Sequence, residues 1–313
     1  MSTDDSMISL LDGEALRELQ TRGKLRLNAP MKEYTTFRTG GPVDMLITPR
    51  RTDDVSAIVQ IARHHSLPLT VIGGGSNLLV SDKGIRGMVI RMSCSGASGE
   101  IAVGEDGSII ASSSLHKEDF IAFALDHGFG GMEFMAGIPG CLGGGIIMNA
   151  GTDEGTFASI LTAIRYLNRD GAIVEQPITS AMGTYRSLRI EEGAIILSAI
   201  YRLPAADRRA PVRKRIAAII EERRYKHPLE YPTAGSVFKN PEGFFSWKLI
   251  DDAGLKGYRI GGAAISELHT NFIINLGNAT SHDISTLIAH AIERVHDRFG
   301  IQLEPEIRLI GEV

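Results

Sequence analysis

A short apolar run that ends abruptly in three glycines constrains this chain more than any other segment. Leu69-Thr70-Val71-Ile72 leads straight into Gly73-Gly74-Gly75-Ser76-Asn77-Leu78. The run reads as a strand. The glycines let successive amides point one way, as in an anion nest, and let another group approach the backbone closely. Ser76 and Asn77 add hydrogen-bond donors. Three glycines alone fit a tight surface turn equally well. Two nucleotide loops are excluded. No Lys-Ser/Thr pair follows, as a Walker A loop requires. Counting from Gly73, the dinucleotide pattern Gly-x-Gly-x-x-Gly meets Leu78 where its third glycine belongs.

The flanking pattern extends this strand into a β-α-β unit. Residues 43–48 read as a strand, and residues 53–65 as a helix with Val55, Ile58, Val59 and Ala62 on one face. A short helix is expected around 13–21, after a loose leader. We take residues 20–80 as one small domain. From 81 to 204 short strands dominate, at 88–91, 101–103, 108–111, 163–168, 172–175 and 194–203, with one helix at 117–127. Arg169-Asp170-Gly171 supplies a hairpin turn. Residues 204–211 form a charged connector bounded by Pro204 and Pro211. The third segment, 205–313, opens with a helix at 212–225 and carries the clearest helix of the chain, 281–299. Ile284, Leu287, Ile288, Ala291, Ile292, Val295 and Phe299 form its apolar stripe. Thr280 with Asp283 starts it in the manner of a capping box, and Gly300 stops it. A final strand ends at Ile310.

Composition narrows the function classes. The 313 residues suffice for two or three domains, and 43% apolar content suits large cores. A formal charge of -4 argues against a general nucleic-acid-binding surface, while leaving room for a local phosphate site. Two cysteines, Cys94 and Cys141, are too few for a disulfide framework and fit a reducing cytoplasm. The acidic start, Met1 to Asp5, lacks the basic and apolar regions of a secretory signal. No apolar run is long enough to cross a bilayer. His64, His65, His116 and His127 show no metal-ligand spacing, and no metal is expected.

Three further motifs carry chemistry. Gly137-Ile138-Pro139-Gly140-Cys141-Leu142-Gly143-Gly144-Gly145 reads as a glycine-rich loop packed against something flat or against a crowded junction. Asn149-Ala150-Gly151 follows as a candidate part of the same wall. Gly235-Ser236-Val237-Phe238-Lys239-Asn240-Pro241 is a turn that presents a serine beside a lysine and an amide. Leu303-Glu304-Pro305-Glu306 sets two carboxylates around a proline. Taken singly, a turn serine is a turn former and a terminal Glu is solvated.

Together with Thr35-Thr36-Phe37-Arg38-Thr39-Gly40-Gly41-Pro42, these motifs occur here in the order found in the UDP-N-acetylenolpyruvoylglucosamine reductases, and from about Pro30 to Gly311 the chain resembles that family. The resemblance implies a three-domain α+β flavoenzyme with a vanillyl-alcohol-oxidase-type FAD-binding fold and a C-terminal substrate domain. It implies non-covalent FAD held by Arg38, Ile72, Gly73, Gly74, Gly75, Ser76, Asn77, Leu78, Gly137, Ile138, Pro139, Gly140, Gly143 and Gly144. The family's catalytic serine, glutamate and arginine fall on Ser236, Glu306 and Arg186. Its substrate contacts fall on Tyr185, Lys226, Asn240 and His269, the last being glutamine in part of the family. The family commonly has Tyr-Arg-x-Ser, whereas here Ser187 follows Arg186 directly. The chain is too short there for the tyrosine-bearing loop of one branch, which suggests the compact branch. The implied reaction is NADPH-dependent reduction of UDP-N-acetylglucosamine enolpyruvate by a cytoplasmic monomer, without nucleic acid or membrane insertion. Another flavin oxidase of the same fold, or a flavin-binding module without turnover, are the competing expectations.

Overall fold

The computed structural model describes residues 7–93, 100–206 and 208–312. The acidic residues Met1 to Asp5 and Cys94 lie outside the described residues. The described chain forms two compact units, and both are discontinuous. One comprises the described residues of 1–26, 45–74 and 87–222; the other comprises those of 27–44, 75–86 and 223–313. Strands Gly23–Pro30, Pro42–Pro49 and Ile85–Arg91 each contain a point where the chain passes from one unit to the other. The three consecutive segments expected from sequence therefore do not coincide with these units.

In the first unit, helix Gly13–Arg22 starts at Asp12, whose carboxylate accepts from the amides of Glu14 and Ala15 at 3.0 and 2.7 Å. Its Leu19 packs with Val55, Ile58, Val59 and Ala62 of helix Asp54–His64 in one core. These four are the residues that the helical period placed on one face. Strand Leu69–Ile72 pairs in parallel with Ile85–Arg91, from Leu69 opposite Met88 to Ile72 opposite Arg91. In the sheet order, Ile85–Arg91 lies between Pro42–Pro49 and Leu69–Ile72. The β-α-β unit is thus split by a strand that sequence reading assigned to the next domain.

The same unit holds a five-stranded antiparallel sheet in the order Ile173–Pro177, Leu161–Leu167, Ile195–Tyr201, Ile109–Ser112, Ile101–Val103. The hairpin between the first two turns at Gly171, with φ +85°, where Asn168 Oδ1 accepts from the amides of Asp170 and Ala172. Helix Lys117–Asp126 buries Phe120 in this core, 4.6 Å from the ring of Tyr201.

A correction falls at the second glycine run. Leu142–Ile147 is a helix, not a loop. Three glycines cost a helix about 1 kcal/mol each. Close packing offsets this: a Cβ on Gly145 would lie 2.4 Å from the Phe157 ring, and one on Gly143 would lie 3.0 Å from Ser113.

In the second unit, helix Ser281–Phe299 joins a core with the antiparallel strands Ala263–Ile265 and Ile273–Asn275, burying Ile284, Leu287, Ala291 and Val295. Its ends are those the sequence implied, a Thr280–Asp283 capping box and a left-handed Gly300. A third device was not legible. The Asp82 carboxylate accepts from the amides of Ser281 and His282 at 2.8 and 3.0 Å, placing negative charge at the helix N-terminus. The last strand, Arg308–Ile310, pairs in parallel with Leu78–Val80. This joins the chain's end to the segment that follows Gly73-Gly74-Gly75-Ser76-Asn77.

Candidate active site

Ser236 and the Glu-Pro-Glu segment meet in the second unit. Gly235 takes φ +80°, a backbone that favours glycine, and turns the chain so that Ser236 bridges Phe272. Glu306 N donates to Val237 O at 2.7 Å, and Lys239 N donates to Glu304 O at 2.9 Å. Phe238 bridges Pro305, and the Lys239 ammonium lies 3.0 Å from the Glu304 carboxylate. Val237 and Ile307 enter the core. Ser236 and Glu306 are half-buried.

Two asparagines lock this arrangement. Asn271, buried, accepts from Phe238 N at 2.9 Å through Oδ1 and donates to Phe238 O at 2.8 Å through Nδ2. Sequence reasoning missed it, since a polar residue just before an apolar strand has no distinctive pattern. Asn77 donates to Glu306 O at 3.1 Å and accepts from Arg308 N at 3.0 Å. The end of the first glycine run is therefore hydrogen-bonded to the carboxylate segment.

Gly75 also anchors the Thr35 to Gly41 motif. It has φ +68°, and a Cβ there would sit 2.0 Å from Tyr34 O. Thr36 N donates to Gly75 O at 3.2 Å. Thr35 Oγ1 donates to Thr39 O at 2.8 Å, and Arg38, exposed, takes a left-handed φ of +57°. Thr36 Oγ1 and Thr39 Oγ1 are buried without a hydrogen-bond partner. Ser76 is half-buried, and Leu78 pairs with Arg308.

The first unit holds the other glycines. Ile72 is buried at its strand end. Gly74 packs on Gly140, where an added Cβ would lie 2.9 Å from the Gly140 Cα, and Gly73 faces Cys141. Gly137 and Gly140 are left-handed, with φ +71° and +94°. Ile138 is half-buried and Pro139 is exposed. Nothing lies within 4 Å of where a Gly144 Cβ would be. Arg186 sits at the tip of a hairpin that pairs Gly183–Thr184 with Ser187–Leu188. It is left-handed, φ +59°, with its guanidinium 4.9 Å from the Tyr185 ring centroid and donating to Gly151 O at 3.3 Å.

Comparison with known proteins decides the family. The C-terminal-domain model of UDP-N-acetylenolpyruvoylglucosamine reductase matches residues 227–310, and an FAD-binding-domain model matches residues 43–176. The reductase of Caldanaerobacter subterraneus subsp. tengcongensis is 40% identical over 300 residues, covering 96% of this chain and 98% of that protein. The Geobacter metallireducens reductase is 39% identical over 293 residues, covering 94% and 96%. The chain belongs to the UDP-N-acetylenolpyruvoylglucosamine reductase family. The crystal structure of the Thermus caldophilus reductase matches with a TM-score of 0.74 at 31% identity, covering 92% of this chain and 98% of that one. The fold class is therefore α+β, with an FAD-binding fold of the vanillyl-alcohol-oxidase type and a C-terminal reductase domain, and the protein is an FAD oxidoreductase.

The residues present fit the flavin of an UDP-N-acetylenolpyruvoylglucosamine reductase. Gly144 offers bare backbone that no internal packing demands. The buried hydroxyls of Thr36 and Thr39 still lack partners. Among the described residues there is no cluster of three or more metal-ligating side chains, and no helix is long and apolar enough to cross a membrane.

Lys117, which the motif reading passed over, supports the second glycine run. It is 4% exposed, donates from Nζ to Pro139 O at 2.7 Å and from its amide to Gly140 O at 3.2 Å. Burial lowers its ammonium from the ordinary 10.5 to about 8, opposed by Cys141 and Glu118. The unfolded chain then binds the extra proton between about pH 8 and 10.5, so this group makes stability rise with pH across that window. Lys117→Met should remove that rise. The wild-type stability, less that of the variant, should grow by on the order of 3 kcal/mol from pH 8 to 10.5 in urea unfolding. Parallel pH profiles for the two proteins would contradict this.

The remaining expected substrate contacts lie in the second unit. Asn240 Oδ1 accepts from Ser246 N at 3.0 Å, at the start of helix Ser246–Asp252. Lys226 is exposed. His269 lies among the rings of His227, Phe272 and Trp247, and its Nδ1 accepts from Asn271 N at 3.3 Å. Burial, with a smaller contribution from Lys226, lowers its pKa, which favours neutral imidazole.

Proposed function

We propose that the protein reduces the enolpyruvyl group of UDP-N-acetylglucosamine enolpyruvate with NADPH, giving UDP-N-acetylmuramate for peptidoglycan synthesis in the cytoplasm. The observation that carries this reading is the pairing of the Ser236 turn with Glu306 through the 2.7 Å bond from Glu306 N to Val237 O. It joins the segment that carries the hydroxyl to the segment that carries the carboxyl, which supports a joint role for the two in handling an enolate and a proton. Residues 72–78 with Arg38, and Gly137 to Gly144, would hold FAD, which would supply hydride transfer from NADPH to the enolpyruvyl methylene carbon.

The side chains act on the adjacent carbon, where negative charge spreads into the substrate carboxylate. Arg186 neutralises the oxygen charge with its guanidinium. Glu306, protonated or sharing a proton, stabilises the same oxygen. Ser236 delivers the proton that completes saturation of the double bond. Tyr185, Lys226, Asn240 and His269 contribute to sugar-nucleotide binding. NADPH and the sugar nucleotide use one site in turn, and the protein acts as a monomer.

Anaerobic absorption spectroscopy tests the reading. Purified protein should carry FAD that denaturation releases, lose its oxidised-flavin absorbance with NADPH, and regain it on adding the enolpyruvyl nucleotide. Flavin that NADPH leaves oxidised would favour a binding module without turnover. Flavin that is reduced but reoxidised only by oxygen would favour an oxidase.

A further inference from the structure

We propose that Asn149 is a positioning residue for Arg186, clamping the hairpin that presents its guanidinium. The inference rests on the catalytic reading of Arg186 given above. Asn149 is 5% exposed and follows the helix Leu142–Ile147. Its φ of +39° is unusual for a residue with a side chain, and asparagine is among the few that tolerate it. This backbone aims the amide across to the hairpin, and both ends of the amide are used. Nδ2 donates to Thr184 O at 2.9 Å, on the residue just before the Tyr185-Arg186 tip. Oδ1 accepts from Ala158 N at 2.9 Å, in the helix Phe157–Ile160. One buried side chain thus ties the hairpin to a helix in the core.

The surrounding glycines fit the same purpose. A Cβ on Gly183 would lie 2.8 Å from Asn149 Nδ2 and 2.5 Å from Ala158 Cβ, so the first strand of the hairpin packs directly on the clamp. Two residues beyond Asn149, Gly151 O accepts from Arg186 Nη1 at 3.3 Å. A Cβ on Gly151 would lie 2.2 Å from Gly155 O, which fixes that carbonyl in its own strand pair. The tripeptide Asn149-Ala150-Gly151 therefore holds the hairpin backbone at one end and the guanidinium at the other. The sequence suggested a cofactor wall here; the hydrogen bonds give Asn149 a different task. A guanidinium that stabilises growing oxygen charge is sensitive to small displacements, and a misplacement of about 1 Å costs on the order of 100-fold in rate.

Two variants separate the clamp from general stability. Asn149→Gly keeps the left-handed backbone and deletes both hydrogen bonds. Asn149→Asp keeps the acceptor for Ala158 N and sets an oxygen against Thr184 O. In stopped-flow experiments on the FAD-loaded proteins, both should be reduced by NADPH near the wild-type rate. Both should be reoxidised by the enolpyruvyl nucleotide about 10- to 100-fold more slowly. Hydrogen exchange in the flavin-free protein should be faster across residues 184–188 in both variants. In an Arg186→Met background, Asn149→Gly should slow reoxidation little further, because both changes remove the same guanidinium placement. Wild-type reoxidation in either Asn149 variant, unchanged hairpin exchange, or multiplicative effects in the double variant would overturn the inference. Wild-type reoxidation in Arg186→Met alone would instead strike the catalytic reading of Arg186, and with it the reason for the clamp.

Discussion

Ser236→Ala is expected to retain FAD and to accept hydride from NADPH at close to the wild-type rate, yet to be reoxidised by the enolpyruvyl nucleotide roughly 100- to 10,000-fold more slowly. Only the second half-reaction creates a carbanion that needs a proton. The Ser236 hydroxyl has no part in placing the backbone that surrounds it: the turn is held by Gly235 at φ +80°, by Asn271, and by the bond from Glu306 N to Val237 O. Removing one oxygen should therefore leave the loop in place, and the defect should be chemical. Glu306→Gln should show the same bias, because it removes control of charge at the enolate. Stopped-flow absorbance follows the two half-reactions separately. A Ser236→Ala protein that reoxidises as fast as wild type would make Ser236 a turn residue and move the proton donor elsewhere.

The second large effect is expected at Gly75. A Cβ there would lie 2.0 Å from Tyr34 O, and the residue has φ +68°. Left-handed backbone costs an L-residue about 1–2 kcal/mol, and the colliding carbonyl must also move. Gly75→Ala should lose about 3 kcal/mol or more in urea unfolding and should purify with little flavin. Gly144→Ala provides the contrast. It lies in a helix, and nothing is within 4 Å of the added Cβ. Without flavin this variant should be more stable by up to about 1 kcal/mol, since alanine favours helix over glycine. Its affinity for FAD should nevertheless fall, measured by fluorescence titration, if the bare backbone at Gly144 faces the cofactor. Unchanged affinity would remove Gly144 from the flavin site.

These two glycines show how far a sequence motif reaches. Gly75 and Gly144 look alike in the chain, each inside a glycine run. One is required by a carbonyl brought in from Tyr34, and the other faces open space. The runs point to a cofactor, while the reason for each glycine lies in what folding places beside it. Lys117 went unnoticed in the sequence, and Asn149 stood there only as part of a candidate wall, for a related cause. A lone lysine and a lone asparagine have no period or spacing that signals burial. Their roles come from partners at Pro139, Thr184 and Ala158.

The sequence by itself determined the elements whose information is local. The extent and the local end signals of helix Ser281–Phe299 were legible, because its apolar period, capping box and terminal glycine all lie within or beside it. The strand before Gly73 and the apolar face of helix Asp54–His64 were legible for the same reason. The ordered motifs also gave the family, which the relatives bear out. Tertiary structure alone decided that Ile85–Arg91 enters the first sheet, that Leu142–Ile147 is helical, and that the chain forms two units, each discontinuous in sequence. It also set the Ser236 turn against Glu306 and tied Glu306 to Asn77, 229 residues earlier. Backbone hydrogen bonds between distant segments involve groups that every residue carries, so they leave no periodic trace in the sequence, and only the packing of both segments around a shared core selects them.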